Sequence, residues 1–539
     1  MGGGDGDGDA TATATAKKKK MGKKERAKAR ARALEVGGMS RADARAACGL
    51  GATPAPAARK TNAMTTMGTT TGGSGGARRG NAPSPALLTA NVKNARSLRE
   101  VYALRDESAG RMNHIHLSAV WTSVGRMRCD GERASSSDGD GMNDAHERLI
   151  AHTIEFVRDE RSKMGGRELA NVAHGAAKGG GSEELFAALA KAIERHLGGI
   201  DRGQELANIA WAFAKADYKC ERLFSALARM AERHAERFNS QELTNTCWAF
   251  ASVGHADARL FKALARCVER RLGEFNTQGL SNTAWGFAKS GFVDVGLFRA
   301  MSQKAQERLD DFNAQDFSNL IYAFAKAGQY DAKLFTTLAK HAERHLSALN
   351  AQGLTNTVWS FSKCGHLDAE LFSKFGRSIE RRMTANASEF NSQDIANTAW
   401  AFGKACHHDE KLFTSLASLS ERCLADFNTQ DLVNTTWAFA KLGRYDAKLF
   451  VAARKSILDH RLNDLDAPNI ANIVWTFDQA SQLSEALFVA LASAAEHQAD
   501  NFNAQDLVNV AWTFANSGQV NDALFTALAR SVKLSLIHI

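Results

Sequence analysis

The sequence predicts an all-α fold, an α-solenoid superhelix of about ten 37-residue helical hairpins behind a disordered basic N-terminal tail. Three observations carry that expectation. The pattern Q-x-L-x-N-x-x-W-x-F, seen at Gln241, Leu243, Asn245, Trp248 and Phe250, returns at a nearly fixed period down most of the 539 residues. Its register positions are His174, Trp211, Trp248, Trp285, Tyr322, Trp359, Trp400, Trp437, Trp475 and Trp512, all 37 apart except for one gap of 41 and one of 38. Such a period marks stacked units that cannot bury their apolar faces alone. Proline is the third sign: four of the five lie in the first 85 residues, so helix breakers are almost missing from a body rich in Ala and Leu.

Residues 1–85 are low-complexity: Gly/Asp, then Ala/Thr, then KKKKMGKKERAKARARA. They hold +10 of the net +9, which leaves −1 for the remainder. Such a segment lacks the apolar surface to fold. The Lys/Arg run suits a nuclear signal or a nucleic-acid arm, while the Ala/Arg/Ser/Thr composition after Met39 suits an organellar transit peptide. Residues 86–164 read as a divergent helical cap, in which MNHIHLSAVW resembles FNSQELTNTCW with one residue missing.

From about Gly165 to Lys533 the units follow one plan. Asn239 is placed to N-cap a first helix with Glu242 at its third position, and Phe238 and Leu243 can form a hydrophobic staple. Gly254 suits the left-handed position after that helix, and glycine recurs there in seven of ten units. Asp257 can cap a second helix with an apolar stripe of Leu260, Phe261, Leu264, Cys267, Val268 and Leu272. The hairpin is expected to be about 12 plus 16 residues. The 41-residue gap predicts a longer inter-repeat loop around residues 383–390, and Pro468 stands in a first turn that tolerates it. The last six residues, LSLIHI (534–539), fit no unit and match the translation of a common sequencing adapter. They are expected to be an assembly artefact, with the natural chain free to continue past Lys533 and a C-terminal domain free to be missing.

Composition narrows the function. Eight cysteines without a C-x-x-C pair argue against a disulfide framework or zinc site and predict reduced, mostly buried thiols. No apolar run nears the ~20 residues that span a bilayer, so no membrane insertion is expected. There is no P-loop, nucleophile elbow or H-E-x-x-H, so no enzyme, cofactor or small-molecule substrate is expected; GAAKGGGS (175–182) lacks phosphate-loop spacing, and His407-His408 read as exposed loop.

On a helical wheel Leu243, Cys247, Phe250 and Ala251 make the core face, and Gln241, Asn245, Trp248 and Ser252 a second stripe. Lysine fills the last of these slots in seven units. The candidate RNA-binding residues are therefore Gln204, Gln241, Gln278, Gln315, Gln352, Gln393, Gln430 and Gln505, with Asn208, Asn245, Asn282, Asn319, Asn356, Asn397, Asn434 and Asn509. Lys215, Lys289, Lys326, Lys363, Lys404 and Lys441 complete them, Lys178 being the seventh lysine. Lysine meets phosphates, and Asn and Gln offer donors and acceptors to base edges. The tryptophans border the apolar arc, which favours wedging between hairpins. The asparagines fit backbone bonding between units as well as base contact. Base discrimination would call on the pairs after each Asn, such as Thr246-Cys247, Thr283-Ala284, Leu320-Ile321 and Thr435-Thr436, and these vary little.

The pattern [FL]-N-x-Q-x-L-x-N-x-x-W-[AS]-[FL]-[AS]-K-x-G followed by [DN]-A-x-L-F, over roughly 165–530, resembles octotricopeptide repeats and the related 37-residue heptatricopeptide type. The resemblance implies an organellar protein of chloroplast or mitochondrion; the Lys/Arg run of the tail keeps the nucleus as the alternative. It implies binding of single-stranded RNA for stabilisation, processing or translation regulation, together with other RNA-processing proteins; many relatives end in a RAP domain, not visible here. A protein-interaction scaffold on the same repeats is the other reading.

Overall fold

The computed structural model describes residues 84–129, 139–159, 161–516 and 521–537. Residues 1–83 of the basic tail and residues 130–138 lie outside them. Residues 82–539 form one compact unit. Among the described residues it is all helical, with 24 α-helices and no strand.

Four helices precede the array: α1 (Pro85–Asn94), α2 (Leu98–Ser108), α3 (His114–Cys129) and α4 (Gly139–Arg158). They are two more hairpins of the same stack, since α3 packs on both α1 and the first helix of the array. Trp121 departs from the repeat tryptophans: it is fully buried, and its Nε1 donates to Thr153 Oγ1 at 2.9 Å.

Ten hairpins follow. The first members, called A helices, are α5 (Gly166–Gly179), α7 (Gly203–Lys215), α9 (Ser240–Val253), α11 (Thr277–Ser290) and α13 (Ala314–Lys326), then α15 (Ala351–Lys363), α17 (Ser392–Lys404), α19 (Thr429–Lys441), α21 (Ala467–Gln479) and α23 (Ala504–Asn516). The B helices are α6 (Glu183–His196), α8 (Glu221–His234), α10 (Ala258–Arg271), α12 (Val295–Glu307) and α14 (Ala332–His345), then α16 (Ala369–Ala385), α18 (Glu410–Cys423), α20 (Ala447–Ser456), α22 (Glu485–His497) and α24 (Asp522–Ile537). Each A helix packs on the A helices before and after it, as a solenoid requires.

Local chemistry sets the boundaries. Asn239 Oδ1 accepts from Glu242 N while Glu242 Oε2 accepts from Asn239 N, both at 2.9 Å. Phe238 and Leu243 are both fully buried, as a staple demands. Asp257 Oδ1 accepts from Arg259 N and Leu260 N and starts the B helix. Between the helices one residue takes left-handed backbone: Gly180, Gly254, Gly291, Gly328, Gly365 and Gly443, with Asp217, Cys406 and Ser481 in the units without glycine.

Hairpins are locked to each other by edge-to-face phenylalanines. The B-helix Phe of one unit meets the A-helix Phe of the next nine times, from Phe186–Phe213 at 5.2 Å to Phe488–Phe514 at 4.6 Å. Each such pair contributes about 0.5–1.5 kcal/mol beyond its buried area. Arginine adds a second tie, since Arg271 Nη1 donates to Phe238 O at 2.6 Å and Arg308 Nη1 to Phe275 O at 2.6 Å, one unit back.

Three expectations are corrected. The hairpin is not 12 plus 16 residues: the A helices have 13 or 14, and a regular B helix has 13 or 14 followed by a three-residue 3₁₀ turn such as Ala235–Arg237. The 41-residue gap makes no long loop. Its extra residues lengthen α16 to 17 residues, because four residues add close to one helical turn and keep the chain's exit on the same side. Sulfur is less hidden than expected: of the described free cysteines only Cys247 and Cys267 are buried, and Cys406 is exposed. GAAKGGGS serves packing. A Cβ on Gly175 would lie 2.3 Å from Trp121 O, so only glycine lets α5 approach α3.

The 38-residue gap has its own device. Its extra residue is absorbed in a π-helical turn, Ile457–Arg461, after α20. Helix α24 continues through Ile537, so the backbone of 534–537 extends the last helix, and residues 538–539 lie outside the described residues.

Candidate nucleic-acid interface

The A helices carry a polar stripe because their core stripe is narrow. Leu, small residues and Phe point inward, which leaves Gln, Asn, the register aromatic and Lys on one outer line. Gln204, Gln241, Gln278, Gln315, Gln352, Gln393, Gln430 and Gln505 are all exposed. Asn208, Asn245, Asn282, Asn319, Asn356, Asn397, Asn434 and Asn509 are all half-buried. Lys215, Lys289, Lys326, Lys363, Lys404 and Lys441 are exposed, as is Lys178. Stacking of the A helices thus brings together every candidate residue on one continuous surface.

The aromatics form a ladder inside that surface. His174 lies 4.9 Å from Trp211, Trp211 6.3 Å from Trp248, and Trp248 6.4 Å from Trp285, all between ring centroids. Tyr322–Trp359 and Trp359–Trp400 continue it at 5.2 and 6.1 Å. The tryptophans from 211 to 475 are half-buried, so they tie adjacent A helices together and still border the surface. Burial, with Lys178 beside it, pushes the His174 pKa down to about 4, so the first rung is neutral at physiological pH.

The asparagines do not bond backbone between units. Asn434 and Asn509 accept through Oδ1 from Gln430 and Gln505 Nε2 at 2.9 and 3.0 Å, one turn away on the same helix. Asn208, Asn245, Asn282, Asn319, Asn356 and Asn397 have no side-chain hydrogen bond within the described residues. A row of polar side chains with unused donors and acceptors is able to hydrogen-bond a polar ligand.

The lysines stand without carboxylate partners. Among the described residues none of the seven makes an ion pair. Lys289 lies over the Trp285 ring at 4.8 Å and Lys404 over Trp400 at 5.0 Å. Partial burial, and then the neighbouring Lys326 and Lys363 respectively, lowers the pKa of Lys289 and Lys404. Five units in succession, from Lys289 to Lys441, carry this uncompensated charge. A cavity of about 360 Å³ among Trp400, Lys404, Val433, Asn434, Trp437, Lys441 and Asn472 lies on the same line.

The pairs after each Asn cannot read bases. Thr246, Cys247, Thr283, Ala284, Leu320, Ile321, Thr435 and Thr436 are all buried, because the helical turn carries them to the core. His407 is half-buried against Phe372 and Phe402, where burial lowers its pKa, and His408 is exposed. Among the described residues no His/Cys/Asp/Glu group could hold a metal ion, and no helix is long and apolar enough to cross a membrane.

A second row escaped the wheel because it lies in turns. Eight residues after the register aromatic, at the hairpin tips, stand the exposed Val293, Tyr330, Leu367, His408 and Tyr445. Its signal in the sequence is a fixed offset of four from the lysine slot.

Residues 140–480, more than half of the chain, match the family model described as RNA-editing substrate-binding complex 6 protein. The chain belongs to that family. Membership makes it a helical-repeat protein of an RNA-associated family; it names neither the octotricopeptide type nor an organelle. Residues 475–510 also match a family described as a protein of unknown function. No curated protein matches the chain. Among solved structures, a homology model of the full-length AP-3 complex in an intermediate open conformation is 9% identical with a TM-score of 0.31, covering 83% of this chain and 79% of that one. A circular tandem repeat protein with novel repeat topology and enhanced subunit contact surfaces is 15% identical with a TM-score of 0.16, covering 82% and 91%. At such TM-scores neither carries an argument.

Proposed function

We propose that this chain binds single-stranded RNA along the A-helix surface and acts by occupancy, not by chemistry. The observation that carries the reading is the uninterrupted line of exposed Gln, half-buried Asn with unused hydrogen-bonding groups, and unpaired Lys. Phosphates would meet the lysines and base edges the amides. Family membership supports a role in an assembly that holds RNA for editing or processing. The octotricopeptide-like units extend this to stabilisation, processing or translation of chloroplast or mitochondrial transcripts.

Residues 82–539, one compact unit without the basic tail, are the material for the test. Their affinity for single-stranded RNA is titrated against salt. Binding is expected to fall with a log–log slope of about −0.7 per phosphate neutralised. Replacing Lys289, Lys326 and Lys363 with Ala is expected to flatten the slope by about 2. No binding at low salt sinks the reading and leaves a protein-interaction scaffold, for which the near-neutral body speaks. Fusing residues 1–85 and 39–85 separately to a fluorescent reporter tests organellar against nuclear targeting.

A further inference from the structure

The ladder tryptophans are the obvious place for RNA bases to insert, and over most of the ladder the ring spacing opposes it. A base slid between two rings needs about twice the ~3.4 Å stacking rise between their planes. From His174 to Trp285 and from Tyr322 to Trp400, centroids of neighbouring rungs lie only 4.9 to 6.4 Å apart. Lys289 and Lys404 cover further ring faces. Along those two runs the ladder is closed to an intercalated base.

Open rings lie at the hairpin tips. Tyr330 is 50% exposed and Tyr445 48%. Each is held by the buried phenylalanine of its own B helix, Phe335 at 5.2 Å and Phe450 at 6.3 Å. Held rings that keep a free face are stacking platforms, and each base stacked on such a ring adds materially to affinity. Lysine flanks both platforms. Lys326 and Lys333 are four residues before and three after Tyr330, and Lys441 and Lys448 stand likewise around Tyr445; all four are exposed and outside any ion pair among the described residues. Leu367 and His408 occupy the two tips between them, so four successive units present an apolar or aromatic tip.

We propose that bases of the bound strand stack on the tip rings Tyr330 and Tyr445, while the ladder beside them contacts backbone phosphates and base edges. The proposal rests on the RNA-binding reading and deepens it by placing the bases at the edge of the A-helix surface. A polyanion with flat apolar faces is the occupant that matches lysines set around exposed tyrosines.

Ultraviolet cross-linking of the full chain to an oligouridylate, read by peptide mass spectrometry, locates the stacked bases. Adducts are expected on the peptides containing Tyr330 and Tyr445; adducts on ladder-tryptophan peptides alone overturn the proposal. The double variant Tyr330→Ser, Tyr445→Ser is expected to bind the oligouridylate roughly tenfold or more weakly, with an unchanged salt slope. The double Phe variant is expected to restore affinity, and an abasic ribose-phosphate oligomer to bind the Ser variant and the parent alike. Equal oligouridylate binding by the Ser variant and the parent overturns the stacking proposal while RNA binding stands. Failure of the parent chain to bind RNA overturns both, and the parent's own titration tells the two failures apart.

Discussion

A left-handed backbone position follows nine of the ten A helices, the tenth lying outside the described residues, and three units fill it with a side chain. Asp217, Cys406 and Ser481 have φ of 52°, 50° and 52°. For an L-residue that conformation costs roughly 1–2 kcal/mol, less for Asp, and glycine returns part of the gain through its freer unfolded chain. Cys406→Gly and Ser481→Gly are therefore expected to raise stability by about 0.5–1 kcal/mol each, and Asp217→Gly by less. Thermal melts of the three variants against the parent check the order. The same scale shows why some residues were legible. Gln, Asn and Lys on one stripe follow from 100° per residue, and stacking cannot move them to the core. The tip row was hidden because a turn has no wheel. The unused hydrogen-bonding groups of the asparagines were hidden too, since partners across units depend on distances that spacing does not supply.

At the level of the element, the hairpin absorbs insertions inside its second helix and leaves its turns alone. Four extra residues make α16 17 residues long, and one extra residue becomes the π turn Ile457–Arg461. Periodicity located both insertions but suggested a loop for the larger, because helix and loop cost the same number of residues. Geometry decides between them: four residues turn the helix by close to 360°, so the following N-cap, Asn391, still meets its unit. Deleting residues 384–387 is expected to be tolerated, with a melting temperature within a few degrees of the parent by the usual relation between stability and size. Deleting only 384–385 rotates the exit by roughly half a turn and is expected to lower the melting temperature clearly and to weaken RNA binding.

For the whole molecule the deciding quantity is where the charge sits. The tail, residues 1–85, holds +10 and the rest of the chain −1, so the two parts would attract RNA in different ways. The body's five consecutive lysines, Lys289 to Lys441, sit on helices one unit apart and on the proposed reading would address an ordered strand. The tail's charge is a composition and carries no register; its pull would be sequence-independent and steeply screened. The full chain is therefore expected to bind any single-stranded polyanion more tightly than residues 82–539 at low salt, with a steeper log–log slope. As salt rises the two affinities are expected to converge, because only the tail's share is lost in full. Heparin is expected to compete with RNA at lower concentration on the full chain than on residues 82–539. If removing residues 1–81 leaves slope and low-salt affinity unchanged, the tail takes no part in binding and its basic run is left to targeting. If that removal abolishes binding at every salt concentration, the lysine line on the A helices is ordinary solvated surface, and the tail alone holds the RNA.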